Sequence, residues 1–186
     1  MPHIDLPAGV PGIIGPLTVY RESERHLDGL ANAVMRGPSS LSLAQREMIA
    51  TYVSHGNECY FCTNSHAAAA RHLLGEHCGV MGEILADVTT AQVDAKMQAL
   101  LEIADRVRRD GRLVGDEQIR RARDAGADDK AIHDTVLIAA MFCMFNRYVD
   151  GLATWAPHDP AVYEEIGARI AAKGYGSKFR EHDAGP

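Results

Sequence analysis

Hydrophobic positions along this chain recur at intervals of three and four, and no stretch sustains the strict alternation of a strand, so the pattern predicts an all-α protein. The clearest segment holds Val93, Met97, Leu100, Leu101, Ala104 and Val107 on one face of an amphipathic helix, with its cap expected at Thr89 or Thr90. Upstream, a helix over about 21–35 ends at Gly37-Pro38, and the next opens at Ser42, where Ser42 and Gln45 stand at capping-box spacing. That second helix puts Met48, Ile49, Tyr52 and Val53 on an apolar stripe. Glu47 falls opposite, with Leu43, Ala50, Thr51 and Ser54, so periodicity alone sends its carboxylate to solvent. His55-Gly56-Asn57 turns the chain into a third helix, from near Cys59 to about Leu74-Gly75.

Further helices are predicted over about 79–86, 115–125, 129–148 and 160–172. Val136 to Phe145 is apolar on all sides, as suits the centre of a bundle or a subunit interface. Pro2, Pro7, Pro11 and Pro16 mark residues 1–20 as an extended arm, lying over the surface or onto a neighbour. The reading is one helical domain over 21–173, a bundle of about seven or eight helices, followed by a tail at 174–186 that is ordered only if another subunit receives it.

Composition narrows the function classes. A chain of 186 residues buries about 70% of its unfolded surface without a covalent staple. A net charge of −6 argues against nucleic acid as a partner. The longest apolar run, Val136 to Phe145, is about half of what a membrane-spanning helix requires. Met1-Pro2-His3-Ile4-Asp5 has neither a basic nor an apolar leader region, so the cytoplasm is the expected address. Thiols are kept reduced there, and a Cys-x-x-Cys pair is then redox-active or metal-binding rather than structural. Cys78 and Cys143 are expected to be buried packing residues.

Cys59 and Cys62 form that pair, and His66 follows one helical turn later. At about 100° per residue, Cys59, Cys62, His66, Ala69, Ala70 and Leu73 share one stripe of the third helix. Residues three apart on a helix have Cβ atoms about 5–6 Å apart, close enough for a disulfide after modest adjustment. An ordinary thiol is only about 3% thiolate at pH 7. The helix start and a protonated His66 would both lower that pKa. The imidazole reaches Cys62 more readily than Cys59, which favours Cys62 as the attacking sulfur and Cys59 as the resolving one. Access of Cys59 to the helix start leaves the reverse order open.

With Glu47 included, the spacing Glu-x11-Cys-x-x-Cys-x-x-x-His resembles the AhpD-like alkylhydroperoxidases of the carboxymuconolactone decarboxylase superfamily. Arg46 to Ala50, Tyr52-Val53-Ser54, Asn57, Ser65-His66 and Asn146 to Leu152 look most like the branch called peroxidase-related enzymes, over about residues 20 to 175. The resemblance implies an all-helical fold that assembles into a homo-oligomer, a trimer or hexamer. It implies a catalytic Cys62, a partner Cys59, and a proton relay through Glu47 and His66, which moves Glu47 inward. The substrate would be a hydroperoxide, the reductant a lipoylated or thioredoxin-like dithiol protein, and no cofactor beyond the thiol pair would be needed. The best-known members carry a further histidine immediately before the second cysteine, where this chain has Phe61.

Competing readings use the same residues. A zinc site would take Cys59, Cys62, His66 and Glu47 as tetrahedral ligands, though the second Cys-x-x-Cys or His-x3-His block of structural zinc modules is missing. A dithiol-disulfide oxidoreductase or sensor would keep the pair and drop the peroxide. A non-catalytic oligomeric binding protein would leave the thiols incidental, and a lactone decarboxylase would not need them. His55, His72, His77 and His133 read as surface or capping residues. Asn146, Arg147 and Asp150 either form a local ion pair at a helix end or line the site from a neighbouring helix.

Overall fold

The computed structural model describes residues 1–176, and within them every regular element is helical. The nine α-helices are α1 (Ile14–Val19), α2 (Arg21–Arg36), α3 (Leu43–Gly56), α4 (Tyr60–Leu74), α5 (Val80–Asp87), α6 (Ala95–Arg109), α7 (Asp116–Asp124), α8 (Asp129–Gly151) and α9 (Pro160–Lys173). None is long and apolar enough to cross a membrane.

The capping box at Ser42 forms as its spacing predicts: the Ser42 hydroxyl accepts from Gln45 N–H at 3.1 Å, and the Gln45 side chain accepts from Ser42 N–H at 3.0 Å. The cap of α6 lies further on than expected. Thr89 is drawn into a local turn by the Asp87 carboxylate, and Asp94 caps the helix through Met97 N–H at 2.6 Å.

α3 occupies the centre. It pairs with α4 in a helical hairpin and also packs on α8 and α6, so Arg46 to Thr51 are all buried. This overturns the periodicity argument for Glu47, which is 0% exposed. A helix covered on several sides has no solvent face, and its polar residues must then find partners inside. α8 lies against α3 and α6 through Ile138, Ala139, Phe142 and Phe145, while Ala140 and Met144 on its far side remain exposed. The segment Val136 to Phe145 is thus central on one face only.

Two apolar clusters result. The larger joins α2, α3, α5, α6 and α8. The smaller lies between α4, α9 and the end of α8, and it contains Cys59, Phe61, Cys62, Ala68, Ala69, Val149, Tyr163, Ile166 and Ile170. α4 and α9 meet closely there: a Cβ placed on Gly167 would lie 2.5 Å from the Cβ of Ala68.

Three further expectations are corrected. The arm is not extended throughout, since its second half forms α1 with Gly15, Pro16 and Leu17 buried. It is fastened to its own chain by His3 N–H on Leu152 O and Gly12 N–H on Trp155 O, at 2.9 and 2.8 Å. The start of the tail docks on its own chain as well, at Gly174 to Gly176, and residues 177–186 lie outside the described part. Cys78 and Cys143 are half-buried rather than buried.

Candidate active site

The hairpin between α3 and α4 delivers the cysteines. Asn57 N–H closes α3 on Val53 O at 3.0 Å, and Glu58 then takes a left-handed conformation, φ 59°, that a non-glycine residue rarely adopts. Cys59 N–H returns to Ser54 O at 3.0 Å, so Cys59 becomes the residue before the first turn of α4. Asn146 on α8 braces the turn. Its side chain accepts from Asn57 at 2.8 Å and donates to the Ser54 hydroxyl at 3.0 Å.

Both thiols are free and buried, Cys59 at 0% and Cys62 at 3% exposure. Cys59 does stand at the helix start, as expected, but that start is buried. A hydrogen bond with Cys62, followed by burial, pushes the Cys59 thiol far above its ordinary range, so at neutral pH it carries its proton. The Asp150 carboxyl on α8 also bonds Cys59; burial raises its pKa and the thiol pulls it back. Arg147 turns instead to Cys143 O on its own helix at 2.9 Å. Of the three α8 residues, Asn146 and Asp150 serve the cysteine turn and Arg147 does not.

Cys62 faces a different environment. With His66 it lines a void of about 60 Å3 walled by Ile13, Leu17, Phe61 and Phe142. An adjoining void of about 80 Å3 shares Ile13, Leu17, Phe61 and His66 and extends past Ser65 to Ile166 and Ile170. The Ser65 hydroxyl is buried there with no hydrogen-bond partner among the described residues. Phe61, at the position of the extra histidine, closes the wall and packs on Tyr163 with ring centroids 6.0 Å apart.

His66 is held by Glu47, with Nδ1 2.8 Å from Oε2. A carboxylate only accepts, so Nδ1 carries a hydrogen, and in the neutral ring the lone pair is then on Nε2. The ring stands edge-on to Phe142, with centroids 4.5 Å apart. Burial by itself would push Glu47 up, but the hydrogen bond and charge of His66 together with the Arg36 guanidinium outweigh it and hold the carboxyl below its usual range. Arg36 reaches Oε1 at 2.7 Å, and the Tyr175 hydroxyl donates to the same oxygen at 2.9 Å.

The structure therefore brings Glu47, Cys59, Cys62 and His66 together around one helix start. It adds two residues that the sequence reading did not name, Arg36 and Tyr175, and of the α8 candidates it brings Asp150 to Cys59. Arg36 lies in the last turn of α2 just before Gly37-Pro38, and Tyr175 sits between two glycines, a signal of a tight docked bend within an otherwise polar tail. Among the described residues no group of three or more His, Cys, Asp or Glu side chains gathers as metal ligands would. His66 spends Nδ1 on Glu47, and both Glu47 oxygens are engaged by donors, so the acid is no ready zinc ligand.

Comparison with known proteins points the same way. A family model described as "Carboxymuconolactone decarboxylase family" matches residues 21–106. A peroxidase-related protein from Silicibacter sp. TM1040 superposes with a TM-score of 0.74 and 28% identity, over 88% of this chain and 94% of that one. A second, from Ralstonia eutropha JMP134 and described as an alkylhydroperoxidase AhpD core, gives 0.75 and 22%, over 85% and 81%. An Agrobacterium tumefaciens protein of unknown function, described as a candidate antioxidant defence protein AhpD, gives 0.66 and 20%, over 80% and 99%. No curated protein sequence matches the chain. The matched family region spans α2 to α6, the thiol helix included, so in this region the chain is similar to the carboxymuconolactone decarboxylase family, and over 80–88% of its length it shares the helical fold of these neighbours.

Proposed function

We propose that this protein is a thiol-dependent hydroperoxide reductase, with Cys62 as the attacking sulfur, Cys59 as the resolving one, and Glu47 and His66 as the proton relay. The observation that carries the reading is the buried Glu47–His66 pair, held by a hydrogen bond at Nδ1, with His66 lining the same void as Cys62. His66 takes the Cys62 proton, and the thiolate attacks the terminal oxygen of the hydroperoxide. The O–O bond breaks, the alkoxide receives the proton from His66 and leaves as an alcohol, and Cys62 becomes a sulfenic acid. Two electrons pass from sulfur to oxygen. Cys59 then attacks the Cys62 sulfur, water departs with the Cys59 proton, and a disulfide closes. An external dithiol, such as a lipoylated or thioredoxin-like protein, returns two electrons and two protons.

The surroundings support this order of attack. Cys59, hydrogen-bonded to Cys62 and buried, keeps its proton and so stays in reserve as the resolving thiol. The adjoining voids are lined mainly by apolar side chains and together approach the size at which an apolar cavity holds a benzene-sized guest, which suits a small organic hydroperoxide. Lactone decarboxylation, the reaction in the family's name, has no use for paired thiols.

The test mixes reduced protein with tert-butyl hydroperoxide and dihydrolipoamide. Wild type turns over many times. Cys62→Ser consumes no peroxide, and Cys59→Ser consumes about one equivalent per chain in its first phase and leaves a trappable sulfenic acid on Cys62. If both variants cycle like wild type, the mechanism is wrong. If wild type oxidises no faster than a free thiol, the pair belongs to a dithiol oxidoreductase or sensor instead.

A further inference from the structure

Tyr175 follows α9 on a short strap, Gly174-Tyr175-Gly176, that folds back onto α2. One side chain clamps it: the Asn32 amide donates to Tyr175 O at 2.7 Å and accepts from Tyr175 N–H at 3.0 Å. Gly174 and Gly176 on either side adopt φ 74° and 75°, a conformation that favours glycine. A Cβ on Gly176 would lie 2.4 Å from an Asp28 oxygen. The strap is thus shaped to this surface, and it carries the aromatic ring into the site.

Inside, the ring lies nearly parallel to that of His66, with centroids 6.0 Å apart and planes at 21°, on a different side from the edge-on Phe142. The Arg36 guanidinium stands 5.1 Å from the ring centre. The hydroxyl donates to Glu47 Oε1 and lies 3.4 Å from His66 Nδ1. Tyr175 also lines both voids.

We propose that Tyr175 is a positioning residue of the relay: its hydroxyl shares the Glu47 carboxylate with Arg36 and so limits how much negative charge is left to His66, while its ring fixes the imidazole against Phe142. This deepens the hydroperoxide-reductase reading and rests on it. The charged and titratable groups around the pair are Asp28 and Arg36 from α2, Arg46 beside Glu47 on α3, Cys62 on α4, Arg169 on α9 and Tyr175 itself. α8 faces His66 with Phe142, and the arm contributes Ile13 and Leu17. Arg36, His66 and Tyr175 all donate to Glu47, and unlike Arg36 the tyrosine brings no charge. Its removal leaves the carboxylate charge less shared, which stabilises the imidazolium of His66.

The experiment follows the His66 titration by NMR, assigned with His66→Gln, alongside the pH profile of Cys62 oxidation by tert-butyl hydroperoxide. In Tyr175→Phe the His66 midpoint rises by about one pH unit, the size of one hydrogen bond to a charged group, and the acid limb of the rate profile moves with it. Asn32→Ala, which leaves Tyr175 in place but removes its clamp, moves both in the same direction by less. Unchanged midpoints in both variants, with helicity intact, overturn the proposal. The two readings fail separately. If Tyr175→Phe moves the His66 midpoint while wild type consumes no peroxide, the reductase reading fails and the relay assignment stands, whereas active wild type with an unmoved Tyr175→Phe profile does the opposite.

Discussion

Cys59 and Cys62 stand one turn apart on the same strand of chain, yet they occupy different surroundings. Cys62 faces a void bounded by apolar side chains, with a histidine whose far nitrogen is locked to a buried carboxylate. Cys59 lies outside that void, pressed between α4 and α9 with Asp150 at its side. The first setting suits meeting a small molecule; the second suits holding a proton until it is needed. A two-cysteine cycle requires this asymmetry, because a resolving sulfur that ionised early would compete for the substrate or react with solutes.

Glu47→Gln is the harshest way to break the comparison. It removes the charge that orients His66 and leaves Arg36 facing a neutral amide, so Cys62 oxidation falls by about 10²- to 10⁴-fold, while a residual thiol reactivity at ordinary rates persists. Stopped-flow oxidation at several pH values measures it. Glu47 also carries a pH signature. Its folded-state pKa lies below the unfolded value, so its stabilising contribution is complete above the ordinary carboxylate range and is lost as pH falls through the folded value. Glu47→Gln removes that contribution, and acid denaturation monitored by circular dichroism is correspondingly less steep than in wild type.

Gly167→Ala strikes the seam between α4 and α9. The added methyl meets Ala68, and α9 must move away from α4 at a cost of about 1–3 kcal/mol, read from the urea midpoint. The smallest effect is expected at Asp150. Asp150→Asn leaves the first oxidation of Cys62 unchanged and slows disulfide closure by about tenfold, since the carboxylate that bonds Cys59 can also accept its proton. Equal slowing of both phases would mean that the two sulfurs share one environment after all.

Much of this arrangement was legible from residue order. The capping box at Ser42, the helix opening at Cys59 and the stripe joining both cysteines to His66 all follow from local rules that the folded chain obeys. Glu47 was not legible from periodicity, because α3 is enclosed by α4, α6 and α8 and so has no polar face to announce. Only the family resemblance, carried by its spacing to the cysteines, implied an inward position. Tyr175 and Arg36 escaped for another reason: their meeting with Glu47 depends on how α2 and the strap after α9 close over α3, contacts that span up to 128 positions. The cap of α6 slipped from Thr89 or Thr90 to Asp94 because an aspartate upstream, Asp87, captured the threonine first.

The close seam where Gly167 meets Ala68 decides how this pocket can be retuned. With no slack between those two backbones, larger residues cannot be admitted on that side without parting the helices, so the void is free to change only through its other lining. That lining is Ile13 and Leu17 from the chain's beginning and Tyr175 from near its end. On the hydroperoxide-reductase reading, selectivity would then rest on residues far from the thiol helix in sequence, while the chemistry stays with that helix.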